Sequence, residues 1–384
     1  MRVLHVITAL GVGGAENMLL KLLQAPSLSQ VEQQVIAMLP GGALAPACRA
    51  ACGHVDEVDL LGGLPLLGGG ARLAALARRA APDLVQGWMY HGNLGALLAR
   101  AVQGRRIPLV WGVRQSLASL QGENAWARTA IHANRWLSRL PDRIVFNSRA
   151  SIGQHRAFGF AAGNALFLPN GFDGERFRPD AAARALRRRE WGFDDRHVVF
   201  GMLARLHPAK GHVDFLQAAR RLLDTRPEAR FVIAGPDHDG RGATLAELVQ
   251  ALGLGDSVRL LVGHHPAPDL LPALDVFVSG STAEAFSNAI GEALCCGVPC
   301  VATSVGDSAW VVGDAGIVVQ PAAPDALAAA MDAMVDHGAT ARHAMGARGR
   351  ERVLRDFGLE AVAAQFGALW SELARSAPRG AEAA

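Results

Sequence analysis

The run Ser281-Thr-Ala-Glu-Ala-Phe-Ser-Asn-Ala-Ile-Gly-Glu-Ala-Leu-Cys-Cys-Gly-Val-Pro299 holds the residue types in this chain best suited to chemistry. Two carboxylates, Glu284 and Glu292, stand eight positions apart across a turn that opens a helix. The flanking segments, Leu274–Ser279 and Pro299–Thr303, read as buried strands. Around Glu292 lie Ala, Ile, Gly, Leu and Cys, so its carboxylate leaves a largely apolar element. An unpaired charge there is costly unless a hydroxyl or a cation meets it. A carboxylate accepts hydrogen bonds from neighbouring hydroxyls. This predicts a polar ligand at the carboxyl end of a parallel sheet.

Two further motifs suit an anion. In Phe200-Gly-Met-Leu-Ala-Arg-Leu-His-Pro-Ala-Lys-Gly211 a strand ends, Arg205 and Lys210 follow in the loop, and a helix begins. Cations at a helix N-terminus oppose the macrodipole until an anion arrives. Arg offers a phosphate two donors and Lys a point charge. Gly11-Val-Gly-Gly-Ala-Glu16 is a glycine-rich turn between strand and helix, which aims backbone N–H groups at an anion. It is no dinucleotide fingerprint, because Glu16 stands where Gly or Ala is required. Taken alone, the glycine turn is equally a tight strand–helix connection, and the Arg205–Lys210 loop has a solvated loop as its less favoured alternative. Ser287 or Asn288 is placed to cap the helix that carries Glu292.

Positioning these residues takes a repeated strand–helix order. Strands are expected at Val3–Thr8, Gln34–Met38, Leu84–Gln86, Leu109–Gly112, Arg143–Phe146 and Ala165–Leu168. A second series runs Val198–Leu203, Arg230–Ala234, Val258–Leu261, Val276–Val278, Cys300–Ala302 and Gly316–Val319. Helices are expected at Glu16–Leu23, Ala71–Ala80, Asn93–Val102, Ala125–Arg139, Gly211–Asp224, Thr244–Leu252, Ser287–Cys296, Asp325–Asp336 and Leu359–Ser376. The class is α/β with parallel sheets in both halves. Turn-rich Asn170–Pro179 marks a hinge. It separates a domain over 1–172 from one over 173–358. Residues 359–384 form a final helix that packs back on the first domain, with a disordered tail from Ala377.

Composition narrows the function classes. At 384 residues the chain has ample core, and no apolar run reaches the roughly 20 residues that span a bilayer. The weakly signal-like start runs straight into the first helix, so a cytoplasmic chain is expected. Its five cysteines lack the paired spacing of a zinc site and read as small core residues. Residues 1–178 carry 18 Lys/Arg against 10 Asp/Glu, whereas residues 179–384 carry 20 against 25. The excess gathers at Arg100, Arg105, Arg106, Arg128, Arg135, Arg139, Arg143, Arg149 and Arg156, a face suited to anionic lipid headgroups or a phosphorylated acceptor, or else merely solvated. One Tyr and an acidic second half disfavour nucleic acid. Only Lys21 and Lys210 occur beside 36 arginines, which makes a lysine at 210 stand out.

Glu284 with Glu292, Arg205 with Lys210-Gly211, Gly13-Gly14-Ala-Glu16, Pro169-Asn-Gly171 and Gly297-Val-Pro299 together resemble the retaining glycosyltransferases of family 4 over nearly the whole chain. The resemblance implies the GT-B fold, two Rossmann-like domains facing each other across a cleft. It implies hexosyl transfer from a nucleotide-diphosphate sugar to an acceptor hydroxyl, without a metal or other cofactor. Arg205 and Lys210 would then hold the diphosphate, Glu284 the donor sugar and Glu292 the ribose. Amides of Phe286, Ser287 and Asn288, and of Gly13 and Gly14, would contact phosphate, with Gly263 and His264 beside the base. In Tyr90-His-Gly-Asn93, His91 matches the family's histidine near the reacting centre. Implied partners are a nucleotide sugar and a glycan or lipid-linked acceptor of the polysaccharide, lipopolysaccharide or glycolipid kind, at the inner face of a membrane. A non-catalytic nucleotide-sugar-binding subunit and a GT-B epimerase are the alternatives.

Overall fold

The computed structural model describes residues 1–60, 65–104, 106–118, 120, 123–237 and 239–376. The expected tail from Ala377 and Arg105 of the basic cluster lie outside the described residues. The chain divides into two units, Met1–Gly171 with Leu359–Ala384, and Phe172–Gly358.

Unit 1 alternates strands and helices: β1 Arg2–Ile7, α1 Gly14–Gln24, β2 Glu32–Ala37, α2 Ala45–Cys52, β3 Val55–Glu57, α3 Pro65–Ala80, β4 Leu84–Trp88 and α4 Met89–Ala101. It continues with β5 Leu109–Val113, α5 Ala125–Leu137, β6 Arg143–Phe146, α6 Arg149–Phe158 and β7 Ala165–Phe167. Its seven strands form one parallel sheet in the order β3-β2-β1-β4-β5-β6-β7. Both faces are covered, and for that reason β1, β4 and β5 read as near-continuous apolar runs.

Unit 2 comprises α7 Ala181–Trp191, β8 Val198–Leu203, α8 His212–Leu223, β9 Ala229–Gly235, α9 Arg241–Ala251, β10 Val258–Val262 and α10 Ala267–Leu270. Then come β11 Val276–Ser279, α11 Asn288–Cys295, β12 Cys300–Thr303, α12 Ser308–Val312, β13 Gly316–Val319, α13 Pro324–Asp336 and α14 Gly338–Phe357. Its parallel sheet runs β10-β9-β8-β11-β12-β13. Helix α15, Leu359–Ser376, returns to unit 1, where Phe366 and Trp370 are fully buried. There Trp370 Nε1 donates to Gln86 Oε1 at 3.1 Å.

In each sheet the strand order reverses once, between β1 and β4 in unit 1 and between β8 and β11 in unit 2. Loops leaving the two strands at such a point diverge, and the crevice they leave is where open α/β sheets take ligands. Every expected strand is present, and β3 is added. The helices α2, α6, α7, α10, α12 and α14 were not anticipated, and α4 starts four residues earlier than expected. Cys48, Cys295, Cys296 and Cys300 are buried thiols, and Cys52 is half-buried.

Candidate active site

In unit 2 the loops after β8 and β11 meet at the strand reversal. Lys210 Nζ donates to Glu284 Oε1 at 2.6 Å, and Ser281 Oγ donates to the same oxygen at 2.8 Å. Lys210 ends a 3-10 turn, Pro208–Lys210, whose first residues are tied by Ala209 N donating to His207 Nδ1 at 3.2 Å. Gly211 then takes a left-handed φ of 74°, and a Cβ on it would stand 1.9 Å from the Gly280 carbonyl oxygen. Only glycine allows the two loops to touch there. Thr282 N donates across that contact to Ala209 O at 2.9 Å. From the β12 side, Thr303 Oγ1 donates to Ser281 O at 2.5 Å, and Asp307 N donates to Ala285 O at 3.0 Å. The segment bearing Glu284 is therefore held from both sides, by the loop after β8 and by the end of β12 with the loop that follows it.

Arg205 leaves β8 two residues after its end, is exposed, and has no ion-pair partner among the described residues. Its charge, after burial, helps hold the His207 imidazole below its ordinary pKa. His212, at the first turn of α8, is buried, which pushes its pKa down to about 4.

Ser287 stands at the N-cap of α11, but its side chain bonds no helix amide, and Asn288 is already helical. The expected side-chain cap is thus absent. Ser287 is itself buried. Phe286 stacks on Phe172 at 5.9 Å and meets Phe357 edge-on at 5.5 Å, so its ring belongs to the core and only its backbone is offered. Glu292 is half-buried one turn into α11. Gly263, with φ 118°, and exposed His264 follow β10, the edge strand two places from the reversal.

In unit 1 the glycine turn follows β1 and the Tyr90–Asn93 segment follows β4, so both lie at the reversal. Gly13 O accepts from Asn17 N at 3.0 Å and from Asn17 Nδ2 at 2.8 Å. A Cβ on Gly13 would lie 2.3 Å from Glu16 Oε2, which places that carboxylate back over the start of α1, and burial raises its pKa. Gly14 is the first helical residue.

His91 lies in the first turn of α4 instead of the loop expected there, and burial lowers its pKa. Its neighbours are pinned. Tyr90 Oη donates to His155 Nε2 at 2.8 Å, and His155 Nδ1 donates to Ser151 O at 2.8 Å. Asn93 Oδ1 accepts from Gly112 N at 3.2 Å, Asn93 Nδ2 donates to Asn134 Oδ1 at 3.1 Å, and Asn134 Nδ2 donates to Tyr90 O at 2.8 Å. A buried polar network of this kind leaves the backbone carrying His91 one arrangement.

The family described as "Glycosyl transferases group 1" matches residues 183–352, and "Glycosyltransferase Family 4" matches residues 12–176. The GDP-mannose-dependent alpha-(1-6)-phosphatidylinositol monomannoside mannosyltransferase of Mycobacterium tuberculosis is 32% identical over 66% of this chain and 69% of its own length. The chain belongs to glycosyltransferase family 4. This family 4 chain is also similar to the D-inositol 3-phosphate glycosyltransferase of Thermobispora bispora, 28% identical over 83% of this chain and 77% of the relative. Among solved structures, Anabaena HepE in complex with UDP and glucose shares its fold at a TM-score of 0.84, with 22% identity over 97% of this chain and 100% of that one. The fold is accordingly GT-B.

Of the family 4 residues named from sequence, the structure brings Lys210 and Glu284 into direct contact, with Arg205, Ser287 and Asn288 on the loops and helix end beside them. It leaves Gly263 and His264 further along the same sheet edge. Sequence reasoning missed Ser281, whose hydroxyl shares Glu284, and Arg114, which directly follows β5. A charged residue immediately after a buried strand was the available signal for Arg114. In a chain with 36 arginines it did not stand out.

Proposed function

We propose that this glycosyltransferase moves a hexosyl group from a nucleotide-diphosphate sugar to a hydroxyl of a lipid-linked or polysaccharide acceptor, with retention at the anomeric carbon. The observation that carries the reading is the Lys210–Glu284–Ser281 cluster at the strand reversal of unit 2. A cation and a hydroxyl-binding carboxylate, fixed side by side, suit a ligand that is a diphosphate at one end and a polyol at the other.

Arg205 and Lys210 take the diphosphate, aided by the amides of Phe286, Ser287 and Asn288. Glu284 orients donor sugar hydroxyls, Glu292 takes the ribose, and Gly263 with His264 flank the base. For unit 1 the same reading gives Gly13 and Gly14 an amide contact to phosphate and places His91 beside the reacting carbon. The bond from that carbon to the diphosphate oxygen breaks, and its electron pair leaves with the diphosphate. The acceptor oxygen bonds on the same face, and its proton passes to the departing phosphate oxygen. No protein nucleophile or metal enters this scheme. Charge builds on the leaving group, so fixed cations are the main help.

Two relatives support the acceptor class, one a phosphatidylinositol monomannoside mannosyltransferase and the other a D-inositol 3-phosphate glycosyltransferase. A surface feature agrees. Exposed Trp126, Trp136 and Leu140 accompany exposed Arg106, Arg128 and Arg139 and half-buried Arg100 and Arg135, with Asp142 the acidic neighbour of Arg106. Arg and Trp side by side suit an anionic bilayer surface. We assign the chain to the cytoplasmic face of a membrane on that basis. No helix among the described residues is long and apolar enough to cross one.

The test is transfer or hydrolysis of UDP- and GDP-sugars by wild type and Lys210→Ala. A loss of about 10²–10³ in kcat/KM is expected. Lys210→Ala turning over donor at the wild-type rate would remove the cluster from the chemistry, and product formed without acceptor or hydrolysis would favour the epimerase.

A further inference from the structure

Arg114 is a half-buried guanidinium in unit 1 that no carboxylate balances among the described residues. It leaves the carboxyl end of β5, next to β4 in the sheet. Its guanidinium carbon lies 5.1 Å from the Trp88 ring centroid and 5.6 Å from that of Phe366. One terminal nitrogen donates to Asn170 Oδ1, while Nε is buried without a hydrogen-bond partner. Its backbone N donates to Met89 Sδ at 3.3 Å. Met89 holds a left-handed φ of 62°, unusual for a residue with a side chain and characteristic of functional segments.

Burial pulls the guanidinium pKa down to about 9, still well above neutral, so the charge is present at pH 7. Elsewhere in the chain, buried Arg188 is balanced by Asp275 at 2.5 Å, and buried Arg342 donates to the Met334 carbonyl at 2.8 Å. Aromatic faces stabilise and orient a cation without neutralising it. A cation held rigidly between aromatic rings, with no carboxylate among the described residues beside it, at the ligand-binding end of a parallel sheet is arranged for an anion that arrives from outside.

We propose that Arg114 is a phosphate-binding residue of the substrate site, engaging a phosphoryl group through its terminal guanidinium nitrogens. The site stands on unit 1 geometry alone. The source of the phosphate rests on the glycosyl-transfer reading, which offers two: the diphosphate of the donor nucleotide, or a phosphate carried by the acceptor.

Titration calorimetry on the full chain separates them, with UDP, GDP, inorganic pyrophosphate and glycerol 3-phosphate as probes and with Arg114→Met and Arg114→Lys as variants. Arg114→Met should weaken at least one probe roughly tenfold or more, with Arg114→Lys intermediate. Loss of UDP or GDP binding assigns the donor diphosphate. Loss of glycerol 3-phosphate with nucleotide binding intact assigns the acceptor. Without ligand, Arg114→Met should melt at or above the wild-type temperature, because it removes an unbalanced charge while keeping the stacked volume. Wild type binding none of the probes, or folded variants matching it within twofold for all of them, overturns the assignment. A lower melting temperature with undiminished binding also overturns it, by marking a structural brace. These titrations need no turnover, so a wild type that binds phosphate through Arg114 yet transfers no sugar would refute the glycosyl-transfer scheme and leave the site standing.

Discussion

At the scale of single residues, the Lys210–Glu284 contact decides how substitutions should combine. Both side chains are largely withdrawn from water, 25% and 15% exposed, and Ser281 adds a second donor to the same carboxylate oxygen. Removing either partner leaves the other partly buried and uncompensated, so single changes should overstate each residue's share. Lys210→Ala and Glu284→Ala together should lower kcat/KM by far less than the product of the single effects. Full multiplicativity across the four enzymes, measured with one donor, would show that the two act independently.

At the scale of elements, the site depends on how closely two loops approach. Gly211 combines a left-handed backbone with a Gly280 carbonyl standing where a Cβ would go. Gly211→Ala should destabilise unit 2 by about 2–4 kcal/mol, through strain and forced separation of the loops. A urea midpoint within error of wild type would contradict that.

Helix α14 shows the opposite case, an element hidden by its own composition. Its buried positions, Arg342, Gly346, Gly349, Val353 and Phe357, recur at helical spacing, but three of the five are not hydrophobic. Gly346 is there because a Cβ would meet the Gly297 carbonyl oxygen at 1.9 Å. Periodicity reads hydrophobicity, so a helix that docks through glycine and arginine leaves little trace. Helix α15 docks through Val362, Phe366, Leu369, Trp370 and Leu373 and was legible to the residue.

For the molecule as a whole, three buried imidazoles set the response to acid. Burial holds His5, His155 and His212 near pKa 4, against an ordinary 6.5. His5 is locked as the neutral tautomer, with Nδ1 accepting from Trp88 Nε1 at 3.2 Å and Nε2 bonded to Gln33 Oε1 at 3.0 Å. Below about pH 6.5 the unfolded chain binds protons that the folded chain refuses, so stability falls as pH drops from about 6.5 to about 4. Each imidazole contributes a loss of about 3 kcal/mol across that window. The urea midpoint should decline steeply between pH 6.5 and 4.5, and His155→Gln should shallow the decline. A flat profile there would mean these imidazoles protonate without unfolding the chain. Vesicle binding belongs to this scale too. Association with anionic vesicles should weaken as salt rises, since the Arg face acts through screened charge, and binding unchanged between low and high salt would rule that face out as the contact.

The succession of most strands along the chain, the parallel class and the family were legible in the sequence, which also singled out Arg205, Lys210, Glu284 and Glu292 as candidates. Each rests on local pattern: buried strands as apolar runs, loops as Gly and Pro, chemistry as residue type after a strand end. Tertiary structure alone decided which of those residues touch. Lys210 and Glu284 are 74 positions apart and meet because β8 and β11 are sheet neighbours at a strand reversal, a relation no local window contains. It likewise decided that Phe286 faces the core, that Ser287 caps nothing, and that Arg114, one arginine among many, is the one stacked on Trp88 and Phe366 without a carboxylate. Burial and pairing are properties of what surrounds a side chain, and most of those surroundings come from distant parts of the chain.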